Sequence, residues 1–245
     1  MDEYKPSRNE QLFKEYYDKL IWETLWAHAH LKLWERLENY RTSYLKELNQ
    51  APHFFNFTMK AHLDDALLTL SRILDTSKDS LTIWKFLNFI ECNKEIFSTQ
   101  TFCRRKKDTP YYEDQVKSHI PITPKVIRED RQKLENLKET MDSLNSWRDK
   151  VLAHNDRQFY LKSKISSTVY PLQLQQLEKV MDTIVGILNR YSYAYDSSTL
   201  VKKFSGEDDI QSVMDSIRFK KEDRKKQLEA WKKQAKDKGQ SISLG

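Results

Sequence analysis

Apolar residues recur along most of the chain at the alternating three- and four-residue spacing that places them on one face of an α-helix. Proline follows Thr123 and Tyr170, and each pair marks a helix start, because proline is accepted in the first turn of a helix. The pattern predicts an all-α fold whose first helix is long and broken. The predicted helices cover residues of about 8–49, 56–75, 79–97, 123–154, 171–195 and 207–238.

Three tryptophans stand out on the first predicted helix. Trp22, Trp26 and Trp34 are separated by four and eight residues, which places them near one face. Aromatic side chains bury large apolar areas when they pack. We therefore expect this stripe to lie in the core or in a dimer interface.

The composition excludes several classes of protein. Four glycines and six prolines in 245 residues argue against a β fold and against a glycine-rich phosphate loop. The two cysteines, Cys92 and Cys103, have neither metal-site nor disulfide-framework spacing, so a reducing compartment is expected. No apolar run approaches about 18 residues, and the first residues lack the order of a signal peptide. We expect a cytoplasmic protein that uses no membrane contact, metal or cofactor.

Positive charge is concentrated near the end of the sequence. Residues 218–238 contain ten lysines and arginines and four acids. The excess of six positive charges in this segment equals the net charge of the whole chain, +6. The functional interpretation is electrostatic capture of nucleic acid, with Lys225 and Lys226 as RNA-binding candidates. The alternatives are a solvated terminal helix, or docking of Leu228 and Trp231 on the body or on a partner.

A second basic cluster lies in the connector predicted between about 100 and 124. Its members are Arg104, Arg105, Lys106 and Lys107, and Tyr111 and Tyr112 follow shortly after them. Basic residues interleaved with aromatic ones can clamp and stack RNA, so these four residues are RNA-binding candidates. An ordinary exposed loop is the alternative.

One segment combines residues that suit phosphodiester chemistry. Arg148 and His154 have five residues between them in a strongly helical stretch. Arginine neutralises a phosphate, and histidine can both accept and give a proton near neutral pH. The alternative is that Arg148 forms an internal salt bridge and His154 is an ordinary helix-end histidine.

The surrounding helix makes Arg148 unusual. It takes an apolar position in the stripe of Leu134, Leu137, Met141, Leu144 and Val151, and an arginine there needs a partner, because an unpaired buried charge is costly. On an ideal helix His154 lies about 120° around the axis from Arg148. Both can reach one ligand only if the helix bends or ends there, or if a second chain contributes.

The segment also resembles a known family signature. Arg148, Asp149 and His154 are similar to the HEPN motif, in which a polar residue follows the arginine and four to six residues separate it from the histidine. The string Ala-Leu-Leu-Thr-Leu-Ser-Arg-Ile-Leu-Asp at 66–75 and the helix at 170–192 resemble the abortive-infection AbiU branch of that superfamily. The resemblance covers roughly residues 55–195.

The resemblance implies an HEPN-like helical bundle that usually forms a homodimer, with the motifs of two protomers around one groove. Active members are metal-independent endoribonucleases, so Arg148 and His154 become catalytic candidates and Asp149 an orienting one. Asn155 is a weaker candidate for RNA contact or helix capping. Some members carry a modified tyrosine where this chain has Asp156, which places that regulation in doubt.

The expected protein is thus an endoribonuclease of the toxin or phage-defence type. The sequence does not decide whether it has an antitoxin partner. The alternative is a noncatalytic helical module that binds RNA or a protein, since the superfamily includes such members. The expected domains are an HEPN-like domain over residues 1–200, with the long first helix, and a basic helical extension over 201–245.

Overall fold

The computed structural model describes residues 4–76, 80–149, 172–203, 206 and 208–237. Over these ranges the chain is all-α, as the spacing predicts, and contains no strand. The helices are α1 (Arg8–Ser43), α2 (Leu45–Leu48), α3 (Pro52–Leu74), α4 (Ile83–Cys92), a 3-10 helix (Lys94–Phe97), α5 (Thr99–Lys106), α6 (Tyr112–Ser118), α7 (Pro124–Glu135), α8 (Lys138–Trp147), α9 (Leu174–Asp196) and α10 (Asp209–Asp237).

Helix boundaries follow local capping chemistry. Thr123 accepts a hydrogen bond from the amide of Val126, with Pro124 in the first turn, so the predicted start of α7 is confirmed. At the start of α9 the amide of Gln173 donates to Oε1 of the Gln176 side chain at 2.9 Å, which is one half of a capping box. The other predicted start, at Tyr170 and Pro171, lies outside the described residues.

Two long predicted helices are interrupted. The first ends at Ser43 and resumes as α2 after Tyr44, which confirms the expected break. The stretch predicted from 123 divides into α7 and α8 at Asn136 and Leu137. Leu134, Leu137 and Leu144 are all buried, so the break keeps the apolar stripe on the core where a straight helix would drift away from it.

The connector predicted near 100–124 contains two helices, α5 and α6, and this part of the prediction was wrong. Ser98 caps α5 by accepting from the amide of Thr101. Phe102 is fully buried and stacks on His119, with 4.2 Å between ring centroids. Helices this short are marginal alone, so tertiary packing stabilises them, and local spacing does not reveal it.

The chain forms two compact units. The first comprises residues 1–30 and 63–203, so it takes the first part of α1 and the last part of α3. Its core centres on α9, which packs against α5, α7, α8 and the 3-10 helix. Phe13 of α1 contacts the rings of Phe86, Phe97 and Tyr195, which joins α1, α4, the 3-10 helix and α9.

The second unit comprises residues 31–62 and 204–245. Its buried cluster is formed by Leu37, Tyr40, Tyr44, Leu48, Phe55, Met59 and Met214, with Trp34, Ile210 and Ile217 packed against it. The beginning of α10 is therefore part of a core shared with residues 31–62. The expected division at residue 200 treated α10 as a separate extension, whereas its contacts group it with an early segment of the chain.

The tryptophan stripe is only partly buried. Trp34 packs against the core of the second unit, but Trp22 and Trp26 are 66% and 53% exposed. The core interpretation was wrong for these two side chains, and the dimer interface stays a prediction. Among the residues described, no helix combines the length and apolar character needed to span a membrane.

Candidate active site

Arg148 lies at the end of α8, where the helix changes its winding. Leu144 and Met141 on the preceding turns are buried, so the apolar stripe fixes this end of α8 against the first unit. Arg148 and Asp149 then form a π-helical turn. Such turns alter the angular register of the residues that follow, and they are frequent at functional sites.

Polar side chains from three positions hold the Arg148 guanidinium. Its Nε donates to Asp149 Oδ1 at 2.8 Å, and its Nη1 donates to Ser71 Oγ at 3.3 Å. Nη1 also lies 3.8 Å from Asp75 Oδ2. Ser71 in turn donates to Asn145 Oδ1 at 3.1 Å, so the hydroxyl is itself fixed between α3 and α8. The partner that the apolar position demands is therefore a polar cluster at the end of α3.

This cluster leaves the guanidinium accessible. The Arg148 side chain is 27% exposed, and Asp75 and Asp149 are exposed to a similar or greater extent. Ion pairs in contact with water contribute about 0–1 kcal/mol each, so an incoming phosphate can compete with either carboxylate. A guanidinium presents five N–H donors in a planar fork, which allows it to bind a phosphate while some donors stay occupied.

The remaining motif residues, His154 and Asn155, lie outside the described residues. The about 120° separation expected for Arg148 and His154 applies to a continuous ideal α-helix. Arg148 and Asp149 are π-helical, and the approach of Arg148 and His154 to one ligand stays a prediction.

Sequence reasoning missed Ser71, Asp75 and Asn145 as site residues. Ser71 and Asp75 belong to the Leu-Ser-Arg-Ile-Leu-Asp string on which the family resemblance rests. Asn145 precedes Arg148 by three residues, which places the two side chains on one helix face. The family-like string and the three-residue spacing were the available signals in the sequence. Neither signal shows that Ser71 or Asp75 contacts Arg148.

The basic cluster at residues 104–107 has members in different surroundings. Arg105 is only 9% exposed and pairs with the buried Glu10, with 2.6 Å between Nη2 and Oε1. It also donates to the carbonyls of Ile96 and Tyr195, and its guanidinium lies 3.6 Å from the centroid of the Tyr195 ring. Arg105 is therefore occupied inside the first unit, and we correct its assignment as an RNA-binding candidate.

The environment of Glu10 agrees with this structural role. Burial by itself would raise the pKa of Glu10, but hydrogen bonds from Tyr4, Ser7 and Arg105 outweigh it and hold the pKa below its ordinary value. The carboxylate accepts from both the amide and the hydroxyl of Ser7 at 2.9 Å. Glu10 is thus kept charged opposite Arg105. Of the other three cluster members, Arg104 and Lys107 are exposed and Lys106 is half-buried.

The basic segment at residues 218–238 begins with an arginine whose donors are also occupied. Arg218 on α10 donates to Glu47 at 3.3 Å and to the carbonyl of Ser43 at 2.9 Å. Its guanidinium also lies 4.1 Å from the centroid of the Tyr44 ring. The hydrogen bond from Arg218 lowers the pKa of Glu47. Lys225 and Lys226, by contrast, are exposed.

No group of three or more histidine, cysteine, aspartate or glutamate side chains able to hold a metal ion occurs in the part of the chain that the structure describes. A family model described as AbiU2, of the HEPN type, matches residues 10–238. The match extends beyond the expected 55–195, and it includes most of α1 and all of α10. No curated protein matches the chain, and no solved structure matches it.

Proposed function

We propose that this chain, which belongs to the AbiU2 family of HEPN proteins, is a metal-independent endoribonuclease of the toxin or phage-defence type. Arg148 and His154 would form its site, shared across a homodimer. The observation that carries the proposal is the Arg148 guanidinium, which is oriented by Ser71 and Asp149 yet open to solvent.

The proposed chemistry is an internal transfer at phosphorus. The ribose 2′-oxygen attacks the adjacent phosphate and loses its proton to a general base, while the bond from phosphorus to the 5′-oxygen breaks and that oxygen takes up a proton. His154 would serve in these proton transfers. Arg148 would stabilise the charge that builds on the phosphoryl oxygens. The products are a 2′,3′-cyclic phosphate and a free 5′-hydroxyl.

The contacts at Arg148 suggest distinct roles for its neighbours. Asp149 holds Nε at 2.8 Å and would keep the plane of the guanidinium fixed. Asp75, at 3.8 Å, is the looser contact and would be displaced by the substrate phosphate. Asn155 is an RNA-contact candidate only by its place in the motif.

The homodimer is supported by two features. The family resemblance implies motifs paired around one groove. In addition, Trp22 and Trp26 leave large apolar surfaces on the first unit, and exposed aromatic surface is enriched at protein interfaces. We expect sedimentation to give the mass of a dimer.

The alternative function is a noncatalytic RNA- or protein-binding module, and one observation favours it. The Asp75 carboxylate already faces Arg148, which is what an internal structural ion pair would require. The two functions differ in whether Arg148 is needed for cleavage or only for stability.

The test is incubation of purified protein with mixed RNA in EDTA, followed by analysis of the fragment ends. Wild type should leave cyclic phosphates, and Arg148→Ala and His154→Ala should both abolish cleavage. Arg131→Ala is the matched control, because Arg131 is also 27% exposed and pairs with a carboxylate, that of Glu91. Cleavage that persists in both motif variants would sink the nuclease proposal.

A mixing experiment tests the shared site. The two inactive variants, Arg148→Ala and His154→Ala, are combined under conditions that exchange subunits. If each site takes its arginine from one protomer and its histidine from the other, half of the dimers recover one of two sites, so about a quarter of the activity returns. Recovered activity without dimers in sedimentation would contradict the shared site.

A further inference from the structure

The two halves of α10 have different surroundings. In its first half Met214 is fully buried, and Ile210 and Ile217 pack against the core of the second unit. From Phe219 to Gln234 every side chain is exposed. This second half carries most of the excess positive charge of the chain. A strongly basic helix is thus anchored at one end and open to solvent along the rest.

The charges are not spread evenly around this helix. At about 100° per residue, six basic residues between 218 and 234 fall within an arc of about 160° that contains no acid. We name this arc the basic face. Its basic members are Arg218, Lys220, Lys221, Arg224, Lys225 and Lys232. Glu222 and Glu229 border the arc on one side, and Glu229 Oε1 lies 3.9 Å from Lys225 Nζ in a solvent-exposed ion pair. Asp223, Lys226 and Lys233 lie outside the arc.

The basic face also carries two exposed apolar side chains, Leu228 and Trp231. The remaining large apolar side chain of this half, Phe219, lies on the acidic side by the same angular count. A helix that binds a membrane surface concentrates its apolar residues on one face and its charges on the other. Here aromatic and basic residues share a face, which is the arrangement of proteins that hold single-stranded nucleic acid.

The base of this face borders a groove within the second unit. The groove has a volume of about 860 Å³ and lies between α10 and the segment around α2. Its lining includes Lys46, Lys221 and Lys225, together with one unshielded acid, Glu222. Glu47 also lines it but is bound to Arg218. The lysines of the groove are exposed, while the Arg218 network fixes the helix that presents two of them.

We propose that the basic face and this groove bind the backbone of single-stranded RNA, and that Trp231 stacks on a base. The proposal rests on the proposed function only for the choice of RNA as ligand. It separates two residues that the sequence treats alike, since Lys225 lies on the basic face and Lys226 on the acidic side.

The experiment measures fluorescence anisotropy of a labelled oligouridine of about 20 nucleotides, long enough for a site of this kind. It uses the full chain with His154→Ala, in EDTA, so that binding is read without cleavage. One variant combines Lys221→Glu and Lys225→Glu. The matched control combines Lys226→Glu and Lys233→Glu, which changes the net charge equally on the same exposed half-helix.

We expect the basic-face pair to lower affinity at least about tenfold and the control pair less than about threefold. The basic-face pair should also reduce the slope of log affinity against log salt by about 1.4, the contribution of two phosphate contacts on a single strand. Trp231→Ala should lower affinity about tenfold. Circular dichroism of each variant checks that the helix persists.

Three outcomes would overturn the proposal. They are equal losses in the two charge-reversed variants, no binding by the parent protein, and equal affinity for single-stranded and duplex RNA with no effect of Trp231→Ala. Binding to anionic vesicles without binding to RNA would likewise reject it. If the parent protein binds as expected but wild type never cleaves RNA, this surface stands and the nuclease proposal fails.

Discussion

Arg105 and Arg148 are both paired with carboxylates in the first unit, yet their surroundings differ in one decisive respect. Arg105 and Glu10 are 9% and 3% exposed, and the arginine also contacts two carbonyls and an aromatic ring. Arg148 is 27% exposed, and its contacts range from 2.8 to 3.8 Å. Each guanidinium nitrogen of Arg105 donates to a group within the fold, whereas the contacts of Arg148 are open to water. Under the proposed function, burial of the ion pair therefore distinguishes a structural arginine from one that binds the substrate phosphate.

The largest effect is expected for Arg105→Ala. Removing the arginine leaves the buried Glu10 carboxylate charged without its ionic partner, which should lower the free energy of unfolding by about 3–5 kcal/mol. Arg104→Ala is the control. The Arg104 side chain is exposed, so its removal should change the free energy of unfolding by less than about 0.5 kcal/mol. Urea denaturation followed by circular dichroism measures both. Equal losses in the two variants would contradict the contrast between buried and exposed arginines.

The second effect concerns catalysis. Under the proposed function, Arg148→Ala should lower the rate of RNA cleavage by about 10²–10³-fold, the range for loss of a donor that stabilises transition-state charge. Its stability should fall by no more than about 1 kcal/mol, because the pairs it loses are in contact with water. Single-turnover cleavage and urea denaturation measure the two quantities. A large stability loss with unchanged cleavage would give Arg148 the role that we assign to Arg105.

The third effect is the pH dependence of the stability that the Glu10–Arg105 pair contributes. The pKa of Glu10 in the folded protein lies below its ordinary value of 4.5, so its charged form stabilises the fold above that pH. This contribution should disappear as the pH falls from 4.5 through the lowered folded-state pKa. The difference in unfolding free energy between wild type and Glu10→Gln should therefore shrink over that interval. A difference that stays constant down to the acid transition would show that the charge of Glu10 does not stabilise the fold.

The sequence predicts the helical fold well, because three- and four-residue spacing and proline starts are local signals. The start of α7 at Thr123 and the break after Ser43 follow from neighbours in the chain. The break at Asn136 and the helices α5 and α6 depend on packing of side chains such as Phe102. That packing comes from distant segments, so no local pattern contains it.

The candidate site shows the same limit. The apolar stripe correctly indicates that Arg148 needs a partner, but Ser71 lies 77 residues away along the chain. Likewise, nothing near Arg105 indicates Glu10, which is 95 residues distant. The four basic residues at 104–107 look equivalent in sequence, and only tertiary burial distinguishes Arg105 from Arg104.

The smallest expected effect distinguishes the roles of the two carboxylates, Asp75 and Asp149, that contact Arg148. If Asp75 competes with the substrate phosphate, Asp75→Asn should lower KM by about two- to fivefold, which corresponds to the energy of one solvent-exposed ion pair. Asp149→Asn should instead lower kcat, because Asp149 holds Nε and fixes the plane of the guanidinium. Steady-state cleavage of one labelled RNA by both variants separates the two roles. A rise in KM for Asp75→Asn would mean that Asp75 orients Arg148 for the substrate. The orientation of the Arg148 guanidinium would then depend on two carboxylates, those of Asp75 and Asp149, rather than on Asp149 alone.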